Sequence, residues 1–265
     1  MRRLLVAAGI VFASCAYVLG IRKQVTIANL RLAFANKTER ERRAIARKAY
    51  SNLGRVFAEM IYLRFAPLRV INKQTAMQNP ELYHAALAEG KGLIVVAGHY
   101  ANWEWLALGG SLGLQTSFSI VRKNIQTSFT EKFLERMRQR GGNKLINSAN
   151  TFGMLRTLKQ GDCVCILADQ AAPPDSVKVS FLNTTVSAYE GPARLALATG
   201  ANMLFAECSI DSNKNYRIRF IPITYTNSDS VETITQKHVT ILETLIETRP
   251  ELWLWQHKRW KFLAQ

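Results

Sequence analysis

The 265-residue sequence predicts a single α/β domain with a mostly parallel or mixed central sheet flanked by helices, plus a membrane helix at the N-terminus. Three observations carry this. Short apolar runs such as residues 93–97 alternate with longer stretches of helical periodicity, as in chains whose strands are covered on both faces. No Pro/Ser/Gly-rich stretch divides the chain, so one sizeable core is expected across residues 25–265. Residues 4–20 carry no charge and lie between Arg2, Arg3 and Arg22, Lys23, which marks residues 1–24 as an anchor.

That anchor is short for a span, and a cleaved signal peptide is the competing reading, without a convincing small-x-small cleavage site to support it. Arg22, Lys23, Arg31, Lys37 and Arg40 crowd its C-terminal flank. By the positive-inside rule the remainder is expected in the cytoplasm. Cys15, Cys163, Cys165 and Cys208 are too few and too oddly spaced for a zinc site or a disulfide framework, which fits a reducing compartment. The 35 basic against 19 acidic residues give a net charge of +16. Such a surplus suits an anionic partner. With no nucleic-acid module signature, a membrane surface and acidic substrates are favoured.

Thr38 with Glu41 forms a capping box opening a helix over 38–63, whose apolar stripe includes Ile45, Leu53, Val56 and Phe57. Its basic face is either solvated or laid on anionic headgroups. The strand over 93–97 ends at Gly98 and places His99 at its C-terminal end, where open α/β sheets hold ligands; Asn102 then caps a helix from Trp103. A strand over 116–121 brings Arg122 and Lys123 to the same edge, before a basic helix over 129–140. Helix 151–160 precedes strand 162–168, which delivers Asp169 and Gln170 to that edge. Pro173 and Pro174 force a loop. Strand 177–182, a helix from Pro192 to Gly200, a hairpin of strands 203–209 and 216–223, and a helix over 229–247 complete the reading. His84 and His238 are read as structural.

Imidazole takes a proton from a hydroxyl near neutral pH best when its second nitrogen is held by an acceptor. Glu104, one turn into the following helix, is expected to fold back onto His99 and supply that carboxylate. Backbone amides in the turn after His99 are candidate oxyanion donors. No metal-ligand set or cofactor motif is expected, and no serine sits in a nucleophile elbow.

The block His99-Tyr100-Ala101-Asn102-Trp103-Glu104 resembles the histidine, four residues, acid signature of the lysophospholipid acyltransferase superfamily, and its wording is similar to that of bacterial lipid A late acyltransferases. Residues 29–34, 167–170 and 255–261 fit that branch in the same order. The resemblance implies a glycerolipid acyltransferase-like fold at the cytoplasmic face of the bacterial inner membrane. It implies O-acyl transfer from a thioester, on acyl carrier protein or CoA, to a hydroxyl of an anionic glycolipid, most simply a lipid A precursor. Related branches acylate other glycolipids, aminolipids or lysophospholipids. His99 and Glu104 would be the catalytic pair, and Arg122 or Lys123 would hold the acceptor's phosphate. Glu190 falls where the superfamily has a Glu-Gly block for the acceptor head, with Arg194 standing in for absent phosphate-binding neighbours. Asp169, Gln170 and Arg259 belong to the blocks expected around substrate; a direct role for His257 is the lesser reading. A hydrolase using the same pair and a noncatalytic basic membrane-binding protein are the rivals.

Overall fold

The run Leu93–Ala97 is buried at every position, as a strand with both faces covered must be, and the whole molecule is laid out around it. The computed structural model describes residues 1–123 and 129–263. Its elements in chain order are α1 (Arg2–Val18), α2 (Lys23–Ala33), α3 (Glu39–Phe65), α4 (Leu68–Lys73), β1 (Thr75–Met77), α5 (Pro80–Ala88), β2 (Leu93–Ala97) and α6 (Trp103–Gly113). There follow β3 (Ser119–Arg122), α7 (Phe129–Arg138), β4 (Lys144–Asn147), α8 (Thr151–Lys159), β5 (Cys163–Leu167), β6 (Lys178–Phe181) and β7 (Thr184–Ser187). The last are α9 (Gly191–Thr199), β8 (Asn202–Ile210), β9 (Tyr216–Pro222) and α10 (Val231–Thr248).

Seven strands form one sheet in the order β1-β9-β8-β2-β5-β3-β4. Strand β2 lies between β5 and β8, parallel to both, and only the β8–β9 hairpin pair is antiparallel. The sheet is therefore mixed and mostly parallel. The register Ala97↔Leu167 fixes what happens beyond the strand ends. His99 and Asp169, each two residues further on, leave the sheet side by side.

Helix α3 starts at the expected capping box, with the Glu41 N–H donating to the Thr38 hydroxyl and the Thr38 N–H to the Glu41 carboxylate at 2.7 Å. Along it packs α1, the segment expected to be an anchor. Gly9 and Gly54 face each other there, and a Cβ on Gly9 would overlap the Gly54 carbonyl and reach 2.8 Å from Ala58 Cβ. Only glycine on both helices permits so close a crossing. Arg2 at the start of α1 donates from Nε to Glu59 Oε1 at 2.9 Å, and its guanidinium lies 4.4 Å from the centre of a Trp105 ring. The outward side of α1 leaves Leu4, Val11 and Phe12 exposed. No single helix among the described residues is long and apolar enough to cross a membrane; α1 and α2 pass only as a pair bent by 86°.

Candidate active site

Strand β2 ends at Gly98, and the turn that follows is held by the far end of the chain. The Ala101 N–H donates to the Leu252 carbonyl at 2.8 Å and the Leu254 N–H to the His99 carbonyl at 3.1 Å. Asn52 on α3 bonds both the Ala101 and Leu252 carbonyls, while Asn29 on α2 donates to the Trp255 and His257 carbonyls, 2.8 Å each. These buried asparagines tie α2 and α3 to the turn after β2 and to the segment 252–257. Ala101 is held at φ 51°, an uncommon conformation for a residue with a side chain.

The acid on the imidazole is Asp169. Its Oδ1 lies 2.6 Å from His99 Nδ1, and its Oδ2 accepts from the His99 N–H and from Trp253 Nε1, 2.8 Å each. The expected His99–Glu104 contact is replaced by this pair. Glu104 turns instead to Arg138 on α7, which binds it with two guanidinium nitrogens, one at 2.8 Å. Glu104 is buried, so its carboxylate needs such a partner. Nothing in the local sequence singles out Arg138, one of several charges on a basic helix.

Burial works to lower the His99 pKa, but the Asp169 charge and hydrogen bond, with a smaller push from Glu104, carry it above the ordinary value. Burial likewise opposes ionisation of Asp169; the His99 charge and its hydrogen bonds prevail and hold the carboxyl at about 2. With Nδ1–H committed to a carboxylate, Nε2 keeps its lone pair. Gln170 Nε2 lies 3.4 Å from it.

The amides proposed as oxyanion donors are already engaged: that of His99 by Asp169, that of Tyr100 by the Gly98 carbonyl and that of Ala101 by the Leu252 carbonyl. The Gln170 side-chain amide lies beside the ring as a donor. His99, Trp103, Glu104, Arg138 and Gln170 line both a mainly apolar cavity of about 400 Å³ and an open groove of about 690 Å³. The cavity runs inward between Leu106, Gly110, Phe118, Ile120 and Phe220. A polar pair thus stands at the junction of an apolar cavity and a more open groove.

The family model described as Bacterial lipid A biosynthesis acyltransferase matches residues 2–262. The chain belongs to this family. It is 25% identical to the lipid A biosynthesis lauroyltransferase of Escherichia coli (strain K12) over 245 residues, 91% of this chain and 79% of the relative. The lipid A biosynthesis palmitoleoyltransferase of the same organism shows the same identity and coverage over 247 residues. Similarity also extends to the phosphatidylinositol mannoside acyltransferase of Mycobacterium tuberculosis (strain ATCC 25618 / H37Rv), 24% identical over 180 residues, 66% of this chain and 57% of that one. The chain is an O-acyltransferase.

The remaining expected residues of this acyltransferase divide by location. Arg122 and Lys123 line the cavity, but the Arg122 guanidinium is closed off by Glu131, at 2.6 Å, and Glu135 on α7. It is therefore paired within the protein instead of standing free for a phosphate. Glu190 and Arg194 line neither cavity nor groove. Glu190 accepts from the Val177 N–H at 3.1 Å and pairs with Arg194 one turn along α9, a local brace for the β6–β7 hairpin. Arg259 is buried behind the site, donating to the Ser187 carbonyl at 2.8 Å and lying over the Phe181 ring. Burial drops its pKa to about 10 against the pull of Asp169. His238 shares the small void beside Asp169 and Arg259, and burial pushes it down to about 4, which makes it a neutral core histidine as expected. Among the described residues, no group of three or more His, Cys, Asp and Glu side chains is placed to hold a metal ion.

Proposed function

We propose that this acyltransferase moves a fatty acyl chain from a thioester on acyl carrier protein to a hydroxyl of an anionic glycolipid of the lipid A precursor type. One observation carries the reading: His99 Nε2 faces the junction of cavity and groove while Asp169 holds Nδ1. The acyl chain enters the apolar cavity, which sets its carbonyl carbon at that junction. The acceptor oxygen attacks this carbon as its proton passes to Nε2, and the imidazolium so formed is stabilised by Asp169. Gln170 is placed to donate to the developing oxyanion. When the C–S bond breaks, the thiolate leaves with the proton from Nε2, which returns His99 to its starting state. Glu104 contributes through Arg138, as a charge pair that shapes the wall between cavity and groove.

A carrier-protein donor is supported by the basic surplus of the chain, which complements a strongly acidic carrier. Residues 1–24 would seat the enzyme at the cytoplasmic face of the inner membrane with the exposed apolar side of α1 in the lipid, a surface contact instead of a span.

The total lipids of cells carrying the wild-type chain, compared by mass spectrometry with those of cells carrying His99→Ala, test the reading. One lipid is expected to lose a mass equal to a single acyl group in the variant, and identical spectra would end the catalytic assignment of His99. Chain length gives a second check. A Cβ on Gly110 would sit 3.2 Å from a Phe118 ring carbon and 3.5 Å from Ile218 Cδ1, so Gly110→Val fills part of the cavity. Each methylene displaced from an apolar site is worth about 0.8 kcal/mol. The variant is expected to favour acyl donors shorter by two or more carbons, by roughly ten-fold in kcat/KM; an unchanged preference would place the chain elsewhere.

A further inference from the structure

The small void beside Asp169 has a more polar lining than its place in the core calls for. Asp169, His238 on α10 and Arg259 meet there among apolar neighbours that include Ala97, Phe181 and Leu242. It offers about 10 Å³ to the centre of a water molecule, the lower limit for holding one.

Each of the three polar side chains has hydrogen-bonding capacity that the described residues leave unused. Arg259 is 5% exposed and spends one donor on the Ser187 carbonyl, while its Nε–H is buried without a partner. His238 is 3% exposed, and its Nε2 is likewise without a partner. Asp169 accepts from the His99 ring, the His99 N–H and Trp253, which fills three of its roughly four lone-pair sites. A buried polar atom without a partner forfeits the solvation it has lost, and the cost is greater on a charged guanidinium. An apolar void of this size stays dry, whereas one lined by several polar groups holds a water.

The three groups also complement one another. Burial keeps His238 neutral, so with its proton on Nδ1 it accepts at Nε2. Burial works against the Arg259 cation too, and Asp169 is the main charge that opposes it. A water oxygen can accept from the Arg259 Nε–H. Its two hydrogens then go to His238 Nε2 and to the remaining site on Asp169.

Resting on the assignment of His99 and Asp169 above, we propose that one buried water occupies this void and makes Arg259 and His238 positioning residues for the His99–Asp169 pair. The water links the Arg259 charge to the Asp169 carboxylate, which stays ionised and oriented while the imidazolium forms and decays. His238 sets the water's direction, taking one hydrogen so that the other points at Asp169. The Ser187 carbonyl and the Phe181 ring fix the guanidinium in turn. Arg259 and His238 line neither the cavity nor the groove beside His99, so both act on the reaction without touching donor or acceptor.

The test pairs a crystal structure of the full chain with kinetics in detergent micelles, using an acyl-CoA and a phosphorylated glycolipid. Density is expected for one water within about 3.2 Å of Arg259 Nε, His238 Nε2 and an Asp169 oxygen. His238→Phe keeps a flat ring in the core and removes the acceptor, so kcat is expected to fall roughly ten-fold, about one hydrogen bond's worth. Both KM values and the melting temperature should stay near wild type, because neither substrate reaches the void and an apolar ring suits the core. His238→Gln, whose amide can again bond the water, should recover most of the loss. Arg259→Lys keeps the cation but takes away the Nε–H, and should lower kcat by a similar factor. A structure without that water, a wild-type kcat in His238→Phe, or a rise in KM in place of a loss in kcat would overturn the proposal. So would a kcat loss that tracks a lower melting temperature and is not rescued by His238→Gln. His99→Ala separates the proposal from the reading it rests on. Activity surviving in that variant would remove His99 as the base, whereas an inactive His99→Ala beside a fully active His238→Phe removes only the positioning through water.

Discussion

Asp169→Asn is expected to lower kcat by roughly four orders of magnitude, the size of effect seen when a catalytic histidine is left in the wrong tautomer by loss of its carboxylate. The geometry gives the reason. Asp169 accepts the Nδ1 proton of His99 and the His99 backbone N–H, and is itself held by Trp253. An asparagine can present its NH2 group to Nδ1, which moves the imidazole proton to Nε2 and abolishes the base. Glu104→Gln should cost much less, roughly ten- to a hundred-fold, because Glu104 touches Arg138 and not the ring. The pH profile carries the sign. Asp169 is the main influence raising His99 against the downward effect of burial. Activity of the wild type should therefore fall as pH drops through a value above about 6.5, the ordinary histidine pKa. In Asp169→Asn the residual activity should lose its acid limb at lower pH, since burial then acts with little opposition. If Glu104→Gln gives the larger loss and the larger shift, Glu104 is the partner of His99 in solution.

Arg2→Ala is expected to destabilise the fold by about 3 kcal/mol, read as a shift in the denaturant midpoint at constant m. Arg2 looks like a flanking charge of a membrane segment, yet its side chain is only 12% exposed and it pairs with Glu59, whose side chain is 1% exposed. Glu59 also accepts from Asn102 Nδ2 at 2.8 Å and the Tyr216 hydroxyl at 2.5 Å. Those donors remain in the variant, so the loss falls at the lower end of what an orphaned buried charge produces. Arg2→Lys should recover part of it, keeping the charge but losing the guanidinium's lie over Trp105. A change below about 1 kcal/mol would mean that α1 is detached from α3 in solution.

Where the signal was local, the sequence could be read. The apolar run of β2, the Asn102 cap, the Thr38–Glu41 box and the β8–β9 hairpin each depend on neighbours within a few positions, and each is present. His99, Asp169 and Gln170 were all placed on the correct edge of the sheet. The partner of His99 was assigned by nearness along the chain, to Glu104 five residues on. The contact that forms runs across the sheet, from β2 to β5, over 70 residues. Two adjacent parallel strands, each followed two residues later by a polar side chain, held the clue, but only once their register was known. Short or weakly patterned elements were also missed: the edge strand β1, the helix α5 that begins at Pro80, and β4 after the Gly141-Gly142 pair. Their apolar faces are too brief to stand out before the surrounding packing is known.

The lacing of the His99 turn to residues 252–257 bears on how the protein is made. Asn29 reaches carbonyls 226 and 228 residues further along the chain, and the Ala101 amide reaches Leu252. On a ribosome adding 5–20 residues per second, the early helices and β2 wait on the order of ten seconds or longer before those partners exist. Until then the loop bearing His99 lacks the bonds that Leu252 and Leu254 give it. A nascent chain therefore completes the turn that carries His99 only when its last residues have been added.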